Sequence, residues 1–190
     1  MQNQMLGQPQ SVKILGIFHV ILAAYGLLTS AFAAYVVIAG NPLLALMPKT
    51  PAMAEQAEMQ AEMQDKVMPS TVITTVVAIM IAILMLVAGI KLLKKRRDGL
   101  KWSNRYAWTS LAGKVVNIIL AFVYTFPMMK EMTEKMSHGT HGTTAMPVAM
   151  SSIMVGSTVL TILVMCTYPI LTLILLNRPN TKEWFAAQPE

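Results

Sequence analysis

Charged residues and cysteine are scarce in this sequence. Of its 190 residues only 13% are charged, and Cys166 is the single cysteine. One cysteine excludes an intramolecular disulfide, and with it the disulfide framework of a small secreted domain. In place of charge the chain carries 55% hydrophobic residues and has a mean hydropathy of +0.54. This composition is too apolar for a water-soluble domain of this length and is typical of an integral membrane protein.

Aspartate and glutamate are absent from four long apolar segments. These segments cover residues 12–39, 71–93, 106–127 and 152–177. Each is long enough to cross a hydrocarbon core about 30 Å thick as a helix, and each is too long for a barrel strand. The sequence therefore predicts an all-α fold, a four-helix transmembrane bundle formed by residues 1–190 as one domain. The lack of an intramembrane carboxylate argues against a proton- or cation-coupled transporter.

Positive charge is concentrated in one stretch, "KLLKKRRDGLKWSNR", which holds seven lysines and arginines against one aspartate. Because short cationic loops remain in the cytoplasm, we expect a cytoplasmic loop at 94–105 and cytoplasmic termini, including the tail 178–190. Loops 41–70 and 128–150 then face outward, and they lack an Asn-x-Ser/Thr acceptor, which favours the cytoplasmic membrane of a bacterium. The basic residues are not spread over a water-facing surface, so no nucleic-acid partner is expected.

The first span has a second interpretation, because its small residues "TSAFAA" resemble the end of a cleaved signal peptide. The apolar run is longer than that of a usual signal peptide, and Lys13 is the only basic residue before it. Both features favour a retained span. Cleavage would leave three spans with the same loop orientation.

The first outer loop contains a predicted amphipathic helix. Its sequence "TPAMAEQAEMQAEMQDKVMPS" places Pro51 at the first helical position and ends at Pro69. Met59 and Met63 fall one turn apart on the same face, with acidic residues on the other sides. We expect this helix to lie on the outer membrane surface or across the mouth of the bundle.

Two stretches, "AGIKLLKKRRDGLKWSNRYAW" and "YPILTLILLNRPNTKEWF", resemble patterns in small four-span bacterial membrane proteins of uncharacterised function. The resemblance covers the cytoplasmic ends of spans two, three and four and the tail, and it brings no catalytic residues. In the tail, Asn180 or Thr181 is expected to cap a short turn. Trp184 and Phe185 are expected to anchor that turn at the membrane interface.

The second outer loop, "MMKEMTEKMSHGTHGTTAMPVAM", is rich in methionine and histidine. Thioether sulfur is a suitable ligand for Cu(I), and imidazole is suitable for Cu(I) or Cu(II). This loop is therefore a candidate copper site. Its candidate ligands are Met132, Met136, His138 and His141. The alternative is that these methionines are adaptable apolar residues that cover the bundle, and the pattern leaves both interpretations open.

A polar cluster is expected inside the membrane, because polar residues fall at similar depths in three spans, and Asn117 shares a face of the third span with one of them. The residues of this cluster are His19, Lys114, Asn117 and Tyr168. Such a cluster would suit an anion or a lipid headgroup, since intramembrane ionisable residues usually mark function. The alternative is a lysine that extends to the headgroups and a histidine bonded between helices. Small residues four apart, such as Gly26 with Ser30 and Ala78 with Ala82, predict close helix packing.

The sequence contains no paired carboxylates, no nucleophile with a recognisable base, no Gly-rich phosphate loop and no zinc-ligand spacing, so we expect no enzymatic activity. The leading hypothesis is a structural or accessory membrane component without a cofactor. Its expected partners are the lipid bilayer and either another membrane protein or a second copy of the chain. Two alternatives remain: extracytoplasmic copper binding through the Met/His-rich loops, and transport of a small solute or lipid.

Overall fold

The computed structural model describes residues 8–40, 51–128, 130–131, 160–161 and 164–188, and the regular elements within these ranges are helices. We number them α1 (Gln10–Ala39), α2 (Pro51–Leu93), α3 (Gly99–Leu120), α4 (Val164–Leu176) and α5 (Pro179–Ala186). Within these ranges, three helical stretches are long and apolar enough to cross a membrane: Gln10–Ala39, Gln64–Leu93 and Gly99–Met128. The described part of the chain is therefore all-helical and has the character of a multi-pass membrane protein. The described part of the expected fourth span, α4, is shorter, so the structure does not confirm four spans.

The helices contribute to two compact units. The first comprises Met1–Ser30, Val77–Gly113 and Met165–Glu190, and the second comprises Ala31–Val76 and Lys114–Val164. In the first unit, buried residues of α1 and α3 recur mainly at intervals of three, four or seven, the spacing that keeps one face of a helix directed at its neighbours. On α1 they are Val12, Leu15, Gly16, His19, Ala23 and Ser30. On α3 they are Gly99, Ser103, Tyr106, Ala107, Ser110 and Gly113.

Small residues bring α1 and α2 close together in the first unit. A Cβ atom at Gly89 would lie 2.8 Å from the Cβ of His19, so the glycine permits direct contact between the helices. At Gly26 a Cβ would lie 3.5 Å from the Cβ of Ala82, which is ordinary van der Waals contact. This contact joins one residue from each of two predicted small-residue pairs, as expected for membrane helices that pack through small side chains.

The opposite face of α1 exposes large apolar side chains at alternating intervals of four and three residues. They are Ile14, Phe18, Ile21, Tyr25, Leu28, Phe32 and Tyr35. A soluble protein rarely exposes so long an apolar stripe. A bilayer accounts for it, because lipid tails solvate large apolar residues while small residues occupy the contacts between helices.

In the second unit, α2 begins at Pro51, as predicted for the outer-loop helix, but the prediction that this helix ends at Pro69 is wrong. The helix runs through Pro69 without interruption. Proline removes one backbone donor, yet nearby hydroxyls add bonds, because Ser70 Oγ and Thr71 Oγ1 donate to the Val67 carbonyl at 2.8 and 3.1 Å. Hydroxyl groups of this kind allow proline inside membrane helices.

The helical backbone of α3 also continues past a proline. Residues Ala121–Thr125 form a π turn, in which the Phe126 N–H donates to the Ala121 carbonyl, and helical residues follow at 126–128 on either side of Pro127. A π turn is a common way for a helix to accommodate a local disruption. Beyond it, Lys66 Nζ donates to both carboxylate oxygens of Glu131 at 2.8 Å, which ties α2 to the end of this helix.

The connection between α2 and α3 is shorter than predicted. The basic loop was expected to extend to residue 105, but α3 already begins at Gly99. Two hydrogen bonds close the end of α2, from Arg96 N–H to the Lys91 carbonyl at 3.0 Å and from Lys95 N–H to the Leu92 carbonyl at 3.2 Å. This is a Schellman turn. Because backbone capping ends α2, the turn to α3 is complete within a few residues, and charged side chains then occupy the first turns of α3.

The tail corrects another expectation. Trp184 and Phe185 lie in α5 with only 2% of their surface exposed, packed with Val12, Leu92 and Leu176. They therefore complete the apolar core of the first unit and do not anchor at an interface. The backbone of Arg178 precedes α5, Pro179 opens it, and Thr181 Oγ1 donates back to the Leu175 carbonyl at 3.3 Å. Thr181 thus bonds to the end of α4 instead of capping the tail helix.

Candidate functional site

A buried histidine lies at the centre of the first unit. His19 occupies the inward face of α1 and has no solvent-exposed surface. Its Nδ1 lies 2.8 Å from the Leu15 carbonyl, one turn earlier in the same helix, and 2.7 Å from the hydroxyl of Tyr168 on α4. One ring nitrogen therefore serves both a contact within α1 and a contact between helices.

The hydrogen-bonding roles follow from the chemistry of the two oxygens. The Leu15 carbonyl can only accept, whereas the Tyr168 hydroxyl can donate or accept. In the neutral ring, a proton on Nδ1 is the arrangement that satisfies both contacts, with the N–H shared between the carbonyl and the hydroxyl. Nε2 is then an acceptor, and this buried atom has no partner among the described residues.

Tyr106 of α3 completes the cluster. Its ring meets His19 edge-on, with centroids 5.0 Å apart at 67°, and lies 6.4 Å from the ring of Tyr168. The rings of His19 and Tyr168 are 5.5 Å apart at 55°. Tilted and edge-on contacts suit aromatic pairs, because positive ring edges approach negative ring faces. The three rings, which we call the aromatic cluster, join α1, α3 and α4.

The surroundings of the aromatic cluster are close-packed. Gly89 of α2 lies against the Cβ of His19 and the backbone nitrogen of Val20, while Tyr106 packs with the apolar group that contains Ala23, Met85 and Ala88. Thr172, fully buried on α4, donates its hydroxyl to the Tyr168 carbonyl at 2.9 Å. These contacts orient the rings: His19 and Tyr106 are buried between the helices, and Tyr168 is half-buried beside them.

The structure brings together two of the four residues predicted for the intramembrane polar cluster. His19 and Tyr168 are hydrogen-bonded, as described above. Lys114 and Asn117 are half-buried on α3 and belong to the second unit, and the Asn117 Oδ1 atom has no partner among the described residues. Their membership of a common site with His19 stays a prediction.

The candidate copper ligands Met132, Met136, His138 and His141 lie outside the described residues, so the copper hypothesis stays a prediction. Within the part of the chain that the structure describes, no group of three or more histidine, cysteine, aspartate or glutamate side chains is placed to hold a metal ion.

Sequence reasoning missed Tyr106, because it was assigned to the start of the third span, where aromatic residues usually face the interface. A signal was present in the small and polar residues that surround it at alternating spacings of three and four: Gly99, Ser103, Ser110 and Gly113. A face lined by such residues packs closely against other helices, and a tyrosine on that face becomes buried.

Comparison of this chain with protein-family models, with curated proteins and with solved structures gives no match.

Proposed function

We propose that this chain is a non-enzymatic, four-span protein of a bacterial cytoplasmic membrane, with a structural or accessory role. The observation that carries the proposal is the complete burial of His19 within the aromatic cluster. His19 is fully buried, and Gly89 packs so closely that a single added methyl group would collide with it. Substrates and permeating solutes need an accessible cavity, whereas an enclosed polar contact between helices positions them relative to one another.

The packing of the tail supports a fourth span. Trp184 and Phe185 follow α4 and pack with Val12, at the start of α1, and with Leu92, at the end of α2. Residues that pack in one cluster lie on the same side of a membrane. A chain that leaves one side of the membrane and returns to it crosses the membrane an even number of times. This favours four spans, with α4 as the last. The basic loop beside Leu92 favours the cytoplasm as this side.

The proposal is tested by removing the hydroxyl that joins α4 to α1. Tyr168→Phe keeps the ring but deletes the contact with His19, so we expect a loss of about 1 kcal/mol in the free energy of unfolding.

In vesicles under an imposed potential, we expect proton flux with the wild-type protein to equal that of protein-free vesicles. The readouts are unfolding in SDS titrations and a pH-sensitive dye inside the vesicles.

The matched control is Tyr25→Phe, because Tyr25 lies on the exposed face of α1 with 65% of its surface accessible. Its free energy of unfolding should change by less than about 0.5 kcal/mol. Flux above that of protein-free vesicles, abolished by Tyr168→Phe at unchanged stability, would contradict the structural role and favour a transporter.

A further inference from the structure

The two ring nitrogens of His19 have unequal surroundings. Nδ1 lies 2.7 Å from the Tyr168 hydroxyl and 2.8 Å from the Leu15 carbonyl. Nε2 is buried and has no hydrogen-bond partner among the described residues. In the neutral ring with its proton on Nδ1, the structure leaves one acceptor unpaired. Protonation would turn that acceptor into an N–H donor with no described group to receive its hydrogen bond.

The described part of the first unit supplies no carboxylate to balance a charge on His19. Its acidic residues are Asp98, which accepts a hydrogen bond from Lys91, and Glu183, which is exposed on α5. On α1 itself, the basic residue Lys13 is exposed to the surroundings. An imidazolium in this position would be a buried charge without an opposite partner, which is strongly unfavourable.

The side chains that face His19 from the other helices are neutral. They are Gly89 of α2, Tyr106 of α3 and Tyr168 of α4. The cations of α2 and α3 lie elsewhere, because Lys91 and Arg105 both lie over the ring of Trp102. A tyrosine ordinarily ionises only near pH 10, so between about pH 5 and pH 8 a change of charge within the aromatic cluster belongs to His19.

We propose that His19 makes the contact between α1 and α4 acid-sensitive, so that proton uptake by its ring releases α4. Such a release rests on the structural role proposed above and adds regulation to it. When the contact opens, water reaches the imidazole, and an imidazole in water takes up a proton near pH 6.5. Below that pH the open state holds one proton more than the closed state, so falling pH favours opening. Above it the ring is neutral in both states, and pH has no effect through His19.

The test compares the full-length wild-type protein with His19→Asn in SDS titrations from about pH 8 to about pH 5. Asparagine keeps a neutral amide near the position of Nδ1 and binds no proton. Relative to His19→Asn, we expect the unfolding equilibrium constant of the wild-type protein to rise about tenfold for each pH unit below 6.5. Equal pH dependence in the two proteins would overturn the acid release. Destabilisation by Tyr168→Phe at neutral pH would still support the structural role, so the two proposals can fail separately.

The matched control is H138Q/H141Q, which replaces the other histidines of the chain and should keep the wild-type pH dependence. This variant leaves His19 as the single histidine, so ¹⁵N NMR of the ring reports its tautomer and protonation directly. We expect the neutral Nδ1–H tautomer at neutral pH, and in acid an imidazolium only together with faster hydrogen exchange in α1 and α4. An imidazolium signal while both helices stay protected contradicts the release, and this measurement decides the question if His19→Asn does not fold.

Discussion

At the scale of the residue, Lys95 has an unusual backbone conformation. Its φ of 54° makes it the one non-glycine residue with positive φ in the described part of the chain. It occupies the position of the Schellman turn that usually carries glycine, and a side chain there costs about 1 to 2 kcal/mol. Lys95 thus combines backbone strain with a position in the basic loop.

Lys95→Gly should stabilise the protein by about 1 kcal/mol, because glycine adopts this conformation without steric cost. Thermal unfolding in detergent micelles measures the change. The control is Lys94→Gly, which removes the same charge from a residue with ordinary backbone angles and should give no gain. Equal stabilisation by both variants would assign the effect to charge and contradict the assignment to backbone strain.

At the scale of the element, the contact between α1 and α2 depends on where glycine is placed. A Cβ at Gly89 would lie 2.9 Å from Val20 Cγ2 and 3.0 Å from the Val20 nitrogen, in addition to its collision with His19. Since one of these atoms belongs to the backbone, the helices have to move apart to accept a methyl group. We expect Gly89→Ala to lower the free energy of unfolding by about 1 to 3 kcal/mol, measured by SDS titration.

Gly26→Ala is the matched control, because it adds the same methyl group to the same helix pair at a position with room for it. The higher helix propensity of alanine should make this variant as stable as the wild-type protein, or up to about 1 kcal/mol more stable. If both variants lose stability equally, close approach at Gly89 is not what sets the distance between α1 and α2.

At the scale of the whole molecule, the number of spans determines on which side the tail lies. If α4 crosses the membrane, Lys94 and Gln188 share one side, which we expect to be the cytoplasm, whereas if α4 does not cross, the tail lies outside. We expect Lys94→Cys and Gln188→Cys, each in a Cys166→Ser background, to react with an impermeant maleimide only after the membrane is permeabilised. Glu62→Cys, from the first outer loop, should react in intact cells, and labelling of Gln188→Cys there would exclude a fourth span.

The sequence by itself determined the helical, membrane-spanning character of this protein. Apolar length and the need to satisfy backbone groups inside each segment are local properties, and three of the predicted spans coincide with long apolar helices. Helix ends were less predictable. The continuation of α2 through Pro69 depends on side-chain hydroxyl hydrogen bonds, and the early start of α3 depends on the Schellman turn that ends α2. Hydropathy describes neither feature.

Only the tertiary structure decided which residues form the candidate site. His19 and Tyr168 were recognised as polar residues inside apolar segments, but their hydrogen bond joins positions 149 residues apart, and Tyr106 reaches His19 from a third helix. Likewise, Trp184 and Phe185 have the composition of an interfacial anchor, yet they fill the core between the ends of α1 and α2. The physical reason is that the rotation of each helix about its axis, and the close approach that glycine permits, depend on the neighbouring helices.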